Sequence, residues 1–216
     1  MYVRRMEDIL KLYARRHDPK EPVVALDERP VVLRSDAYRG IPARRGKVFR
    51  RDHEYVRKGT ANVFCIVEPL TGRRLTHATT RRTGHMYAGA LRKIARRYKK
   101  ARKIHLVQDN LNTHSEKSLI RRYGAKEGRR IWSRFSVHFT PLHASWLNAA
   151  ELEASLMARE CLGRRRIPDA KTLKAEVRAW RIAAEKQGRK IRWSFTVNDA
   201  KRVFRYRGIE TSRSKH

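Results

Sequence analysis

At 216 residues the chain has the length of one ordinary domain with appendages, and 40% hydrophobic residues are enough to bury a core and to exclude wholesale disorder. Lys and Arg number 53 against 21 Asp and Glu, a net charge of +32 that repels itself unless a polyanion is the usual partner, so nucleic acid leads the partner classes. No apolar run is long enough to span a bilayer, no secretory signal opens the chain, and two cysteines without a CxxC spacing read as buried thiols rather than as a disulfide or a zinc site.

In chain order, Val3, Met6, Ile9, Leu10 and Tyr13 recur at helical spacing, which predicts an amphipathic helix over residues 2–16 that ends before Pro19. Val23 to Leu26 is a short β-branched run that reads as a buried strand ending at Asp27. Residues 34–58 are dense in Arg and carry Gly40, Pro42 and Gly46, the composition of a long basic loop or an irregular hairpin. Asn62 to Glu68, a Pro69 to Gly72 turn and Arg74 to Thr80 predict a hairpin, followed by a helix from Gly84 to Tyr98. A strand over 103–108 ends at Asp109. Thr113 and Glu116 have capping-box spacing for a helix that stops at Gly124, and Ser136 to Thr140 gives a further strand. Helices are then expected at 149–163, 169–187 and 197–206. Strands alternating with helices after an antiparallel hairpin predict a mixed α/β sheet covered on both faces.

In a chain this basic, the carboxylates carry the information. Asp27 and Asp109 each follow a strand, where open α/β sheets place their chemistry, and Glu151 opens a later helix. Three carboxylates from distant elements can converge on a pair of hard cations, and two such ions stabilise the attacking and leaving oxygens of a phosphoryl displacement. Each acid also has a plainer reading. Asp27 suits a turn, and Asn148 with Glu151 is itself a capping-box pattern. Glu153 competes with Glu151 from about 200° around the same helix. Glu28 points to the opposite face of its strand, which suggests a surface role. His114 suits either a partner of a phosphate or carboxylate or a solvated first-turn residue, Asn110 could hold the Asp109 carboxylate, and Asn148 shapes a helix start.

The blocks Ala25-Leu26-Asp27-Glu28, Gln108-Asp109-Asn110 with His114, and Ser145-Trp146-Leu147-Asn148-x-x-Glu151 resemble the signature of DDE transposases of the mariner superfamily, in particular bacterial insertion-sequence members. The spacing from Asp27 to Asp109 is 82 positions and from Asp109 to Glu151 is 42, and Trp193-x-Phe195-Thr196-x-x-Asp199-Ala200 is also similar to that group. The resemblance implies an RNase H-like fold with a five-stranded sheet, and two Mg²⁺ ions, replaceable by Mn²⁺, held by Asp27, Asp109 and Glu151 with Asn110, His114 and Asn148 in support. It implies strand cleavage and transfer of the freed 3′-OH into target DNA, with TA targets favoured.

Double-stranded DNA, as element ends and as target, is the expected partner; Arg44, Arg45, Lys47, Arg50 and Arg51 of the basic loop and Arg164, Arg165 and Arg166 are the expected phosphate contacts. Only 26 residues precede Asp27, so the chain reads as a catalytic half without the helix-turn-helix modules of full-length relatives. A homodimer and a separate chain carrying that reader are both compatible with this. The expected layout is a connector helix over 1–20, a catalytic domain over 21–165, C-terminal helices over 166–207 and a tail over 208–216. Cytoplasmic, nucleoid-associated placement follows from these features, with no membrane partner. The rival readings are a stand-alone nuclease of the same fold and a silent remnant that only binds DNA.

Overall fold

The computed structural model describes residues 1–206, and the expected tail over 208–216 lies outside them. Two 14-residue strands, β1 (Val23–Asp36) and β2 (Tyr55–Glu68), form a long antiparallel hairpin. β3 (Arg73–Thr79) adds to β2 on one side. On the other side β4 (Ile104–Gln108) runs parallel to β1, and β5 (Phe135–Phe139) runs parallel to β4. The order β3-β2-β1-β4-β5 is the mixed five-stranded sheet expected from the sequence.

Alternation along the strands sends two sets of side chains to two helical layers. Val24, Leu26, Phe64 and Ile66 pack against Tyr87, Leu91 and Ile94 of helix α2 (Gly84–Arg97), Leu119 of α3 (Glu116–Tyr123) and Ile131 of α4 (Ala125–Trp132). On the opposite face Val23, Ala25, Val67 and Val107 meet Met6, Ile9, Leu10 and Tyr13 of α1 (Tyr2–Tyr13). Farther along that face Val63 and Cys65 meet α5 (Ala149–Met157), which continues as a π turn over Ala158–Leu162, and α6 (Ala170–Lys186). Each large apolar side chain buried in these layers contributes roughly 1.5–3 kcal/mol. The last helix, α7 (Val197–Phe204), opens on a capping box between Thr196 and Asp199.

Locally the chain departs from or refines the sequence reading at several points. Asp27 does not end a strand: β2 continues beside β1 and satisfies its backbone through the exposed Arg29 and Pro30, so Asp27 is the fifth residue of a longer strand. The ends of the basic segment, 34–36 and 55–58, are strand, and the tip over residues 37–54 is the irregular hairpin alternative, pinned by Ile41–Arg50 and Arg44–Lys47 pairing. The helix after Asp109 starts at Glu116 with Ser115 before it, Thr113 lies ahead of it with its carbonyl accepting from the Ser118 hydroxyl at 2.7 Å, and no capping box forms. Gly124, at φ +80°, does end that helix, yet the chain at once starts α4. Gly128 permits this: a Cβ there would stand 2.7 Å from the Ile120 backbone, so only glycine lets α4 fold back onto α3.

Candidate active site

The pairing of Ala25 with Val107 carries the end of β4 alongside β1, so Asp109, one residue past β4, emerges beside Asp27. The start of α5 is strapped to the same place. Asn148 Nδ2 donates to the Leu26 carbonyl at 2.9 Å, one residue from Asp27, while its Oδ1 accepts from Ala150 N at 3.2 Å. Tyr13 Oη donates to the Leu147 carbonyl at 3.0 Å and accepts from Ala149 N at 3.2 Å. Glu151 thus sits in the first turn of a helix whose start is fixed to β1, and the expected capping box with Asn148 does not form.

The three acids sense one another. Burial pushes the Asp27 carboxyl up, the Glu28 amide opposes, and the negative charges of Glu151, Asp109 and Glu28 push it further, to about 6. Among the described residues no three His, Cys, Asp or Glu side chains gather closely enough to chelate one ion. One of the three carboxylates, that of Asp109, lies against a histidine instead. His114 Nδ1 lies 2.5 Å from Asp109 Oδ1, a close charge contact without hydrogen-bond alignment, since that buried oxygen has no aligned donor.

His114 is the residue whose setting the sequence conceals. It is buried, stacked on Tyr87 at 4.4 Å between ring centres, and its Nε2 stands 3.1 Å from Glu28 Oε1. Burial alone lowers an imidazole pKa, but the close contacts with the Asp109 and Glu28 carboxylates and their charges outweigh it and raise His114 to about 9. The imidazolium therefore bridges the two acids, and the solvated alternative for His114 is excluded. Glu28 does face away from Asp27, but it is no surface residue: its carboxylate is 2% exposed and also pairs with Arg82. A third tether, Tyr87 Oη to Gln108 Oε1 at 2.9 Å, holds the end of β4 to α2. Asn110 is exposed and makes no side-chain hydrogen bond among the described residues, so the Asp109 partner is His114 and not Asn110.

Glu153, the rival third acid, points away from this cluster. It is buried and pairs with Arg74 Nε at 2.6 Å, while Arg74 Nη1 donates to the Gly72 and Arg189 carbonyls. Trp146 ends on the outer side of α5, where Trp193, Phe195 and Phe204 complete an aromatic cleft of about 440 Å³.

Of the expected phosphate contacts, Arg44, Arg45, Lys47, Arg50 and Arg51 lie exposed on the 37–54 tip, with Arg51 3.3 Å from Asp36, and Arg164 is exposed. Arg165 pairs with Glu176 at 2.5 Å. Arg166 is a correction: its side chain is 13% exposed and its guanidinium is used up on Asp36 and the carbonyls of Asp52, His53 and Glu54. A guanidinium with its donors taken clasps the base of the hairpin instead of reaching for phosphate.

Known proteins share this fold. The family described as DDE superfamily endonuclease matches residues 22–174. The fold is similar to a Mos1 mariner paired-end complex with Mn (TM-score 0.55, 14% identity, 87% of this chain and 56% of that one). It is also similar to a pre-cleavage Mos1 transpososome (TM-score 0.54, 16% identity, 87% of this chain and 58% of that one). The chain thus spans little more than half the length of those transposases. No curated protein sequence is recognisably related. With the matched region covering all three carboxylates and the whole sheet, the chain belongs to the DDE superfamily endonuclease family.

Proposed function

We propose that this chain is the catalytic domain of a transposase, which cuts DNA strands and joins the freed 3′-OH to target DNA, with Asp27, Asp109 and Glu151 as its catalytic carboxylates. One observation carries the reading: the β1–β4 register and the Asn148 strap to Leu26 bring acids from three distant segments to one end of the sheet. The donor set suits divalent metal. All three donors are hard oxygens, Asp27 is held near 6 by burial first and then by its negative neighbours, and Asp109 Oδ1 is buried without an aligned donor; a cation would relieve the last two of these. Two Mg²⁺ or Mn²⁺ ions bound there would supply charge to the attacking and leaving oxygens of phosphoryl transfer. The chain's own residues do the positioning. Asn148 and Tyr13 fix the start of α5, His114 sets the rotamer of Asp109, and Glu28 holds His114 in place.

Duplex DNA is the substrate, and the exposed cations of the 37–54 tip with Arg164 supply contacts to its backbone. The solved neighbours are described as paired-end complexes, which supports a dimer acting on two DNA ends. The test is nicking of supercoiled plasmid with Mg²⁺ or Mn²⁺: metal-dependent nicks lost in Asp27→Ala support the reading, and unaltered nicking in that variant sinks it. Joined products separate a transposase from a nuclease that only cuts.

A further inference from the structure

β3 is an edge strand, and the outer side of that edge is a cleft of about 460 Å³ between α2 and α6. Two helices line it with cations at helical spacing: Lys93, Arg96 and Arg97 from α2, and Lys174, Arg178 and Arg181 from α6. Positions three, four and seven apart fall on one side of a helix, so both stripes face the same groove. Arg97 and Arg181 share the Glu185 carboxylate at its end. Lys93, Arg96, Lys174 and Arg178 have no ion-pair partner among the described residues, and the cleft wall contains no carboxylate.

The floor is built rather than merely charged. His77 of β3 accepts at Nδ1 from Lys93 Nζ at 2.8 Å and rests on Phe64. Burial, then the charges of Lys93, Arg122 and Lys174, hold its imidazole down to about 4, so it stays an uncharged acceptor. Burial and the charges of Lys174 and Arg122 likewise lower Lys93. Cations crowded this closely, with burial added, repel one another until an anion enters.

Resting on the DNA-processing function proposed above, we propose that this cleft is a second binding track for the phosphodiester backbone of duplex DNA, separate from the 37–54 tip. Its position suits that role. Asp27, Cys65 and Thr76 share one rung of the sheet, so the cleft begins two strand spacings from the catalytic acid, about 10 Å. Phosphate is the chemistry recognised; a DNA backbone and a free phosphate or pyrophosphate both offer it, and the experiment tells them apart.

The full chain is titrated with random-sequence duplex at several salt concentrations, as wild type, as Arg96→Ala/Lys174→Ala/Arg178→Ala, and as a control, Arg121→Ala/Lys126→Ala/Arg129→Ala, with the same charge removed from exposed positions on α3 and α4. Each neutralised phosphate contributes about 0.9 to the slope of log affinity against log salt, so the cleft variant should lower that slope by about 2 to 3. The control should lower it by less than about 1. Equal loss in both variants overturns the inference, because charge then acts without regard to place. An unchanged slope with self-association of the cleft variant also overturns it, showing that the cations only guard the free edge of β3. In wild type labelled at histidine, the His77 resonances should shift on adding duplex. A shift with millimolar pyrophosphate but none with duplex overturns the backbone assignment in favour of free phosphate. Wild type that binds no duplex at all fails the functional reading itself, a result distinct from these.

Discussion

α5 carries two glutamates two residues apart with opposite fates. Glu153 is buried against Arg74, a cation the chain supplies itself, and a hydrogen-bond set around that guanidinium completes the pair. Glu151 stands near Asp27 and Asp109, where among the described residues no cation pairs with Asp27 and only an imidazolium with Asp109. One cluster holds its own counter-cation and fixes the helix, although burial still pushes the Glu153 carboxyl up and leaves its Oε2 without a hydrogen-bond partner among the described residues. The other is left electron-rich, which a structural site does not need and a metal-dependent site does.

The comparison is broken most sharply by substitution. Asp27→Ala, Asp109→Ala or Glu151→Ala should each reduce metal-dependent nicking to background while leaving duplex affinity within about threefold, since removing an anion does not weaken phosphate attraction. Gel-shift and nicking assays on the same preparations check both halves. In the Arg74–Glu153 cluster the effect is on folding. Arg74→Met strands the buried Glu153 carboxylate and should cost about 3–5 kcal/mol, a fall in Tm on the order of 10 °C. Adding Glu153→Leu should recover most of that loss in thermal melts. Glu153→Leu alone leaves a buried Arg74 uncompensated, so it too is read by melting and not by a missing ligand.

Between the two lie the residues that hold a ligand without being one. His114→Ala or Glu28→Gln should lower nicking about 10- to 100-fold, the usual cost of losing an outer partner of a metal ligand. Raised Mn²⁺ should restore part of it, because the defect is in ligand placement; a loss that Mn²⁺ does not touch would contradict the positioning role. pH sharpens the same point. Asp27 must be unprotonated to bind metal, so activity should fall below about pH 6. The His114 bridge contributes stability that is fully present below the ordinary imidazole pKa of about 6.5 and is lost as pH rises through about 9. A pH profile flat between 5 and 10 would contradict both assignments.

The legibility of the chain divides along a similar line. Periodicity exposes the hairpin, α2, α6 and the alternating strands because one face of each is apolar and buried. It does not expose α4, whose Gly124 and Gly128 read as breakers until α3 is known to lie within 2.7 Å of where a Cβ would be. It also truncates β1, since Arg29 and Pro30 look like the end of a strand when only the partner strand keeps it going. The motif blocks name the acids, yet the roles of Glu28, His114 and Arg74 depend on partners 86 and 79 residues away, as in His114 with Glu28 and Arg74 with Glu153. A charge run such as Arg164-Arg165-Arg166 likewise hides that Arg166 is spent within the fold.

The central claim is that Asp27, Asp109 and Glu151 share metal while Glu153 does not. A crystal soaked in Mn²⁺ and measured for anomalous scattering tests it most directly. Anomalous peaks should lie between the three carboxylates, with Glu153 still on Arg74. Peaks at Glu153, or no peak near Asp27 at Mn²⁺ concentrations that support nicking, would contradict it.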